Sequence, residues 1–211
     1  MSRWEPNARG RLEQAAMELY VERGFEQTTV AEIAARAGLT ERTFFRHFTD
    51  KREVLFWGAG DLRAFLVDAI AAAPAGTTPI DMVIAALEGT SPIFQERGAG
   101  ARQRQAIIDA NPELRERELI KLTALASAMA AALRERGVPD LAASLTAEAG
   151  IAVFRVSFER WIKDPGAQEL ARHIRESRAE LEAAIAGKAH EVRLAAEPEN
   201  STNPRGQGPR R

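Results

Sequence analysis

An all-α fold is what this sequence predicts, and three observations carry the prediction. Apolar residues recur at i, i+3, i+4 and i+7 through most of the chain, the spacing of one helix face. The 10 prolines fall mostly between or at the ends of those periodic stretches and cut them into defined lengths. Period-two alternation, which a half-buried strand needs, is nowhere sustained.

The elements follow in order. Leu12, Ala15, Ala16, Leu19 and Tyr20 form an apolar stripe over 9–23, and Gly24 is placed to end that helix. Thr29, three residues before Glu32, reads as a capping box: the hydroxyl takes an orphan N–H while the glutamate folds back. The short helix it opens carries Val30, Ile33, Ala34 and Ala37 on one side and closes at Gly38. Thr40 caps a third helix running through Phe48, and Asp50 with Glu53 caps a fourth over 51–73. After a connector at 74–79, further helices are predicted near 80–88, 93–109, 113–136, 139–163 and 167–187. From Glu197 on, the chain has too little apolar surface to order itself.

Composition narrows the function. The 211 residues are 45% hydrophobic and 28% charged, ordinary for a soluble globular protein with a sizeable core. The absence of cysteine removes disulfides, thiolate metal sites and cysteine nucleophiles. No run approaches the ~18 consecutive apolar residues of a membrane span, and residues 1–6 lack the apolar stretch of a secretory signal. The expectation is a cytoplasmic protein with no membrane partner. His47, His173 and His190 are scattered, and no zinc-binding helix motif, glycine-rich phosphate loop or serine elbow is present. No catalytic residue, metal ligand or cofactor is therefore expected. The net charge of −1 requires any nucleic-acid surface to be local. Residues 36–52 supply one, with Arg36, Arg42, Arg46, Lys51 and Arg52 against Glu41 and Asp50.

Two short helices joined by Gly38, Leu39 and Thr40 have the length and punctuation of a helix-turn-helix. In the second, Phe44 and Phe48 share a side and anchor it, while Glu41, Arg42, Phe45 and Arg46 face outward. Arginine forks to guanine in the major groove and a carboxylate accepts from cytosine. Thr43, His47 and Lys51 suit phosphates, the lysine because it begins a helix whose free N–H groups favour anions. A solvated Arg/Glu face on an ordinary helical hairpin would show the same spacing.

The run TTVAEIAARAGLTERTFFRHFTDKREVL (28–55), preceded by AMELYVERGFE (16–26), resembles the signature of the TetR family of repressors. That resemblance is dense over about residues 10–57. It implies a two-fold homodimer that binds double-stranded, palindromic operator DNA. Thr28 or Thr29, with Thr43, His47 and Lys51, would hold phosphates. Glu41, Arg42 and Arg46 would read bases, with Thr40 at the start of the reading helix. Phe45 stands where many members carry tyrosine, so its contact would be apolar, as with a thymine methyl.

The second half is less explicit. Arg102–Ile108, Asn111–Glu118 and Phe158–Trp161 resemble the C-terminal domain of the acyl-CoA-like ligand-binding branch of that family. A small hydrophobic, acyl-CoA-like effector follows from that resemblance. Phe65, Met82, Phe94, Ile107, Leu122, Leu125, Met129, Phe154, Phe158 and Trp161 are candidates to line its cavity, with Thr123 and Ser157 as polar handles. Arg102 and Arg104 are candidates for an acidic end group. Plain core, or a salt bridge, is the alternative for each. In the family the last two helices build the dimer. Ala142, Leu145, Ala149, Ala152, Val153 and Val156, then Leu170, Ile174, Leu181 and Ile185, are the expected seams. The expected layout is a three-helix DNA-binding domain at 8–68, a helical ligand-binding and dimerisation domain at 69–187, and a disordered tail at 188–211. Arg205, Arg210 and Arg211 in that tail are candidates for weak DNA contacts. An effector is expected to relieve repression by tilting the fourth helix and separating the two readers.

Overall fold

The computed structural model describes residues 7–96, 98–164 and 169–187. Its helices are α1 (Ala8–Arg23), α2 (Val30–Arg36), α3 (Glu41–His47), α4 (Ala59–Ala71), α5 (Pro79–Glu88), α6 (Ser91–Glu96), α7 (Gly98–Ala110), α8 (Pro112–Glu135), α9 (Asp140–Lys163) and α10 (Leu170–Ile185). A 3₁₀ turn over Glu53–Phe56 separates α3 from α4, and no strand occurs among the described residues.

Local chemistry sets the first three helices. Thr29 Oγ1 accepts from the Glu32 amide at 3.3 Å, and Glu32 Oε2 accepts from the Thr29 amide at 2.9 Å. Thr29's backbone N–H holds the Glu32 carboxyl below the usual carboxylate range. Gly38 follows α2 at φ +65°, a left-handed conformation that a side chain resists. Arg11 of α1 donates through Nε to the Ala37 carbonyl at 3.1 Å, so a cation satisfies the negative end of α2.

One predicted helix is interrupted. The stretch 51–73 is not continuous: Asp50 Oδ1 does accept from the amides of Arg52 and Glu53, at 2.8 and 3.0 Å, but a 3₁₀ turn follows and the α-helix begins only at Ala59. The consecutive residues Val54, Leu55 and Phe56 are all buried, which a single face of an α-helix does not allow. The predicted 93–109 helix is matched by α6 and α7, which stand on either side of residue 97, outside the described residues. The predicted tail, and the start of the predicted last helix, lie outside the described residues.

Packing divides the molecule into two cores. The first, which we call the head, gathers Leu12, Leu19, Ile33, Phe44 and Phe56, joined by Ile107, Ile108 and Leu114 from α7 and α8. The second, the body, gathers Leu66, Ile70, Met82, Met129, Leu133, Phe154, Trp161, Leu170 and Ile174. The boundary expected at 68 thus falls inside α4, whose Leu66 and Ile70 belong to the body. Along the chain, packing passes from head to body between Trp57 and Leu62. Helix α7 bridges both cores, giving Ala101 to the body and Ile107 to the head.

Helix α9 is the centre of the body, with α5, α8 and α10 against it. Gly150 makes the α5 crossing possible, because a Cβ there would stand 2.3 Å from Val83 Cγ1. Its 24 residues include an 18-residue window of mean hydropathy 1.4, so by length and composition α9 qualifies as a membrane span. Here one side of that apolar surface is core, and the other side is exposed.

Candidate nucleic-acid interface

Helix α3 is built from both of its faces. Phe44 is fully buried and Phe48 nearly so, their rings 5.4 Å apart, which fixes the helix against the head. Thr40 caps its start by accepting from the Thr43 amide at 3.2 Å, and the two hydroxyls lie 3.1 Å apart. Glu41, Arg42, Phe45 and Arg46 are exposed together on the outer face. Phe45 is 55% exposed, a large aromatic in water that packing within this chain does not explain.

The local basic patch is smaller than its composition. Arg36 is held by Glu22 at 2.8 Å and Glu18 at 3.4 Å. Its hydrogen bonds push the Glu22 carboxyl down. Arg52 pairs with Glu113 at 3.3 Å. Arg42 and Arg46 form no ion pair among the described residues, so their guanidinium groups remain available.

Two expected phosphate contacts, Thr28 and Lys51, are placed differently, and a third, His47, is left without a hydrogen-bond partner at Nε2 among the described residues. Thr28 is buried, and its hydroxyl donates to the Gly24 carbonyl at 2.8 Å. Lys51 Nζ donates to the carbonyls of Phe25, Glu26 and Thr28 at 2.8, 3.1 and 3.0 Å, and lies 4.4 Å from the Phe25 ring centroid. All three of its hydrogens are spent inside the head, where they fix the loop that leads to Thr29. Tyr20 locks the same corner by donating to the Lys51 carbonyl at 2.6 Å, and burial raises its phenol pKa. His47 stands at the end of α3 with Nε2 buried and without a hydrogen-bond partner among the described residues. Burial and then the neighbouring Arg46 and Arg9 charges pull its pKa below the ordinary histidine value.

A polar layer joins head to body, and sequence reasoning missed it. Glu53 takes Arg117 at 2.6 Å and Lys121 at 3.2 Å, while Asp50 lies 3.5 Å from Arg117. Arg104 belongs to this layer and not to a ligand cavity: Nε donates to the Leu55 carbonyl at 2.6 Å, and Nη1 meets Glu118 at 3.2 Å. Its guanidinium carbon lies 5.0 Å from the Phe56 ring centroid. Ile107 is likewise part of the head core.

The other cavity candidates separate into groups. Phe94, Phe154, Phe158 and Trp161 pack ring against ring, with centroids 5.3–6.3 Å apart. Met82, Leu122, Leu125 and Met129 join them in the body core. Phe65 is 37% exposed beside Gly89, outside that cluster. The hydroxyls taken as handles are occupied, Ser157 by the carbonyls of Val153 and His173 at 2.6 and 3.1 Å, Thr123 by Leu119 at 3.0 Å. A cavity of about 500 Å³ opens at the far end of the body, between Ala75–Pro79 and Arg136–Pro139.

The expected seams are sorted by exposure. Val153, Leu170 and Ile174 are buried within the subunit, and Leu181 packs against the same core. On α9, Leu141 (72% exposed), Leu145 (63%) and Val156 (46%) continue one stripe with Ala149 and Ala152.

Comparison with known proteins fits this layout. Residues 13–56 match the bacterial regulatory proteins of the TetR family, and residues 77–186 match the MftR C-terminal domain. The regulator TcmR of Streptomyces glaucescens is 38% identical over 72 residues, 34% of this chain and 32% of that protein. The match thus spans about a third of that relative's length. FadR of Thermus thermophilus, solved with lauroyl-CoA, has a TM-score of 0.51 at 23% identity, over 94% of this chain and 100% of that one. FadR of Bacillus subtilis, solved with stearoyl-CoA, has a TM-score of 0.57 at 19% identity, over 84% and 98%. At such identities the likeness is one of fold. With family matches over both of its parts, the chain belongs to the TetR family and is a DNA-binding transcriptional regulator with a C-terminal domain of the MftR type.

Proposed function

We propose that the chain is a homodimeric repressor that reads a palindromic operator with α3 and is released by a small hydrophobic effector. The observation that carries this reading is the pair of guanidinium groups, without an ion pair among the described residues, on the outer face of a helix whose inner face is locked by Phe44 and Phe48. Arg42 and Arg46 fork to guanine, Glu41 accepts from cytosine, and Phe45 meets a thymine methyl. Thr40 and Thr43 share one hydrogen bond and so keep one hydroxyl hydrogen for a phosphate along the same edge, while the Thr29 hydroxyl is held by Glu32. A single reader covers one half-site, and two-fold dimers read half-sites about 34–36 Å apart or multiples of that. The α9 stripe from Leu141 to Val156 is the surface for that dimer, since a second copy would cover its exposed leucines. Such a regulator works beside the chromosome, in the cytoplasm, and its role is binding and not catalysis.

The effector belongs in the body, among Met82, Phe94, Leu122, Met129, Phe154, Phe158 and Trp161. The acyl-CoA complexes of the two FadR proteins support a ligand with an elongated apolar part. Release works by differential affinity, since a ligand shifts the equilibrium only toward the form that binds it more tightly. Helix α7, with residues in both cores, and the layer around Glu53 transmit the change to the head. They replace the continuous fourth helix as its route.

The test is binding of the purified protein to DNA flanking its own gene at two salt concentrations, beside Arg46→Ala and Leu145→Glu. Site-selective, salt-weakened binding that fails in the first variant, and a monomer by sedimentation in the second, are expected. Unselective binding by the wild type overturns the operator assignment, and an intact Leu145→Glu dimer overturns the seam.

A further inference from the structure

A crevice of about 180 Å³ lies where head meets body, lined among others by Arg9, His47, Glu53, Trp57, Gly60 and Lys121. That volume holds about six waters at ~30 Å³ each. It falls below the ~300 Å³ at which sites for drug-sized ligands begin. An acyl chain does not fit, and a few-atom ligand does.

The lining carries donors that the protein leaves unused. Arg9 is stacked 4.9 Å from the Trp57 ring centroid and 5.5 Å from that of Phe48, and it makes no ion pair among the described residues. Lys121 Nζ gives one bond to Glu53 at 3.2 Å, leaving two hydrogens. His47 Nε2 is buried without a protein partner among the described residues, and a buried polar atom left bare is costly. Glu53, the one carboxylate in the lining among the described residues, is already shared with Arg117 at 2.6 Å. The crevice therefore holds excess positive charge beside apolar walls, where charges interact more strongly than in water.

The geometry points to a site for a small phosphate-class oxyanion that bridges Arg9 and His47 of the head to Lys121 of the body. Its ligands come from α1, α3 and α8, so occupancy ties the angle of the reading helix to the body. The consequence for operator affinity rests on the proposed operator reading, whereas binding of the anion does not. The charged groups facing His47 are Arg9 from α1, Arg46 from its own helix, Glu53 from the 3₁₀ turn and Lys121 from α8. A bound anion offsets the cations and favours protonated His47.

The experiment titrates inorganic phosphate into the full chain at constant ionic strength, following the Trp57 indole and His47 ring resonances by NMR. Saturable shifts are expected, weakened about tenfold in Lys121→Gln and in Arg9→Gln and unchanged in the distant Arg175→Gln. Lys121→Gln alone decides the matter if loss of the Arg9 stacking unfolds the head. Adding duplex DNA then separates the sources. Competition identifies the anion as a backbone phosphate, and joint binding identifies it as a free solute. Shifts that never saturate, or saturation indifferent to Lys121→Gln, overturn the site, whatever the protein does with DNA.

Discussion

The head and the body spend their polar side chains in opposite ways. In the head, Arg11, Arg36 and Lys51 are consumed in building the frame, and what is left over, Arg42 and Arg46, is the functional surface. In the body, the hydroxyls of Ser157 and Thr123 are consumed and what is left over is apolar: a ring cluster inside and a leucine stripe outside. A reader of charged DNA and a sensor of hydrophobic ligands thus arise from the same helical material. The difference lies in which groups each region leaves unsatisfied.

Substitutions can break that comparison or sharpen it. The largest effect is expected from Phe44→Ala. Its ring is fully buried in the smaller core, so truncation costs about 3–5 kcal/mol. Denaturant unfolding should show the head melting before the body, and a single unchanged transition would deny the head a separate core. Next is Gly150→Ala in the body, where the new Cβ would meet Val83 Cγ1 at 2.3 Å. Overpacking of about 1–3 kcal/mol is expected, read as a lowered midpoint with selective DNA binding retained at low temperature. Thr29→Ala removes a cap from the head alone and should cost about 1 kcal/mol. Amide exchange should then speed up in α2 while α9 stays protected. The smallest effect concerns pH. His47 has a folded pKa below its unfolded value, so the stability it contributes is present above about pH 6.5 and is lost as pH falls through the folded pKa. In His47→Gln the acid limb of a stability–pH curve should be flatter, and an identical limb would contradict the assignment.

The head was legible in sequence because its determinants are local. Thr29 and Glu32 are three residues apart, as are Thr40 and Thr43, and Phe44 and Phe48 are four. Its misplacements involve distant partners: Lys51 meets carbonyls 23 to 26 residues away, and Thr28 is buried by the loop that Lys51 holds. The body was legible as helices but not as a site. For Arg104 the sequence leaves a ligand and a salt bridge both open, and only the approach of Leu55, 49 positions earlier, together with Glu118, decides for the salt bridge. Ile107 looked like cavity lining because nothing in the periodicity of α7 marks where one core ends and the other begins. Gly150 carried no motif at all, since only the approach of α5 gives it meaning.

The central claim is that α3 reads bases through its free arginines, and the most direct measurement couples one arginine to one base. Each guanine of the selected operator is replaced by 7-deazaguanine, and affinity is measured for the wild type and for Arg46→Ala at fixed salt. The account predicts one position where the base change weakens wild-type binding by about 1–3 kcal/mol yet leaves the variant unaffected. Equal losses in both proteins at every position would show that Arg46 does not touch a guanine, and would contradict it.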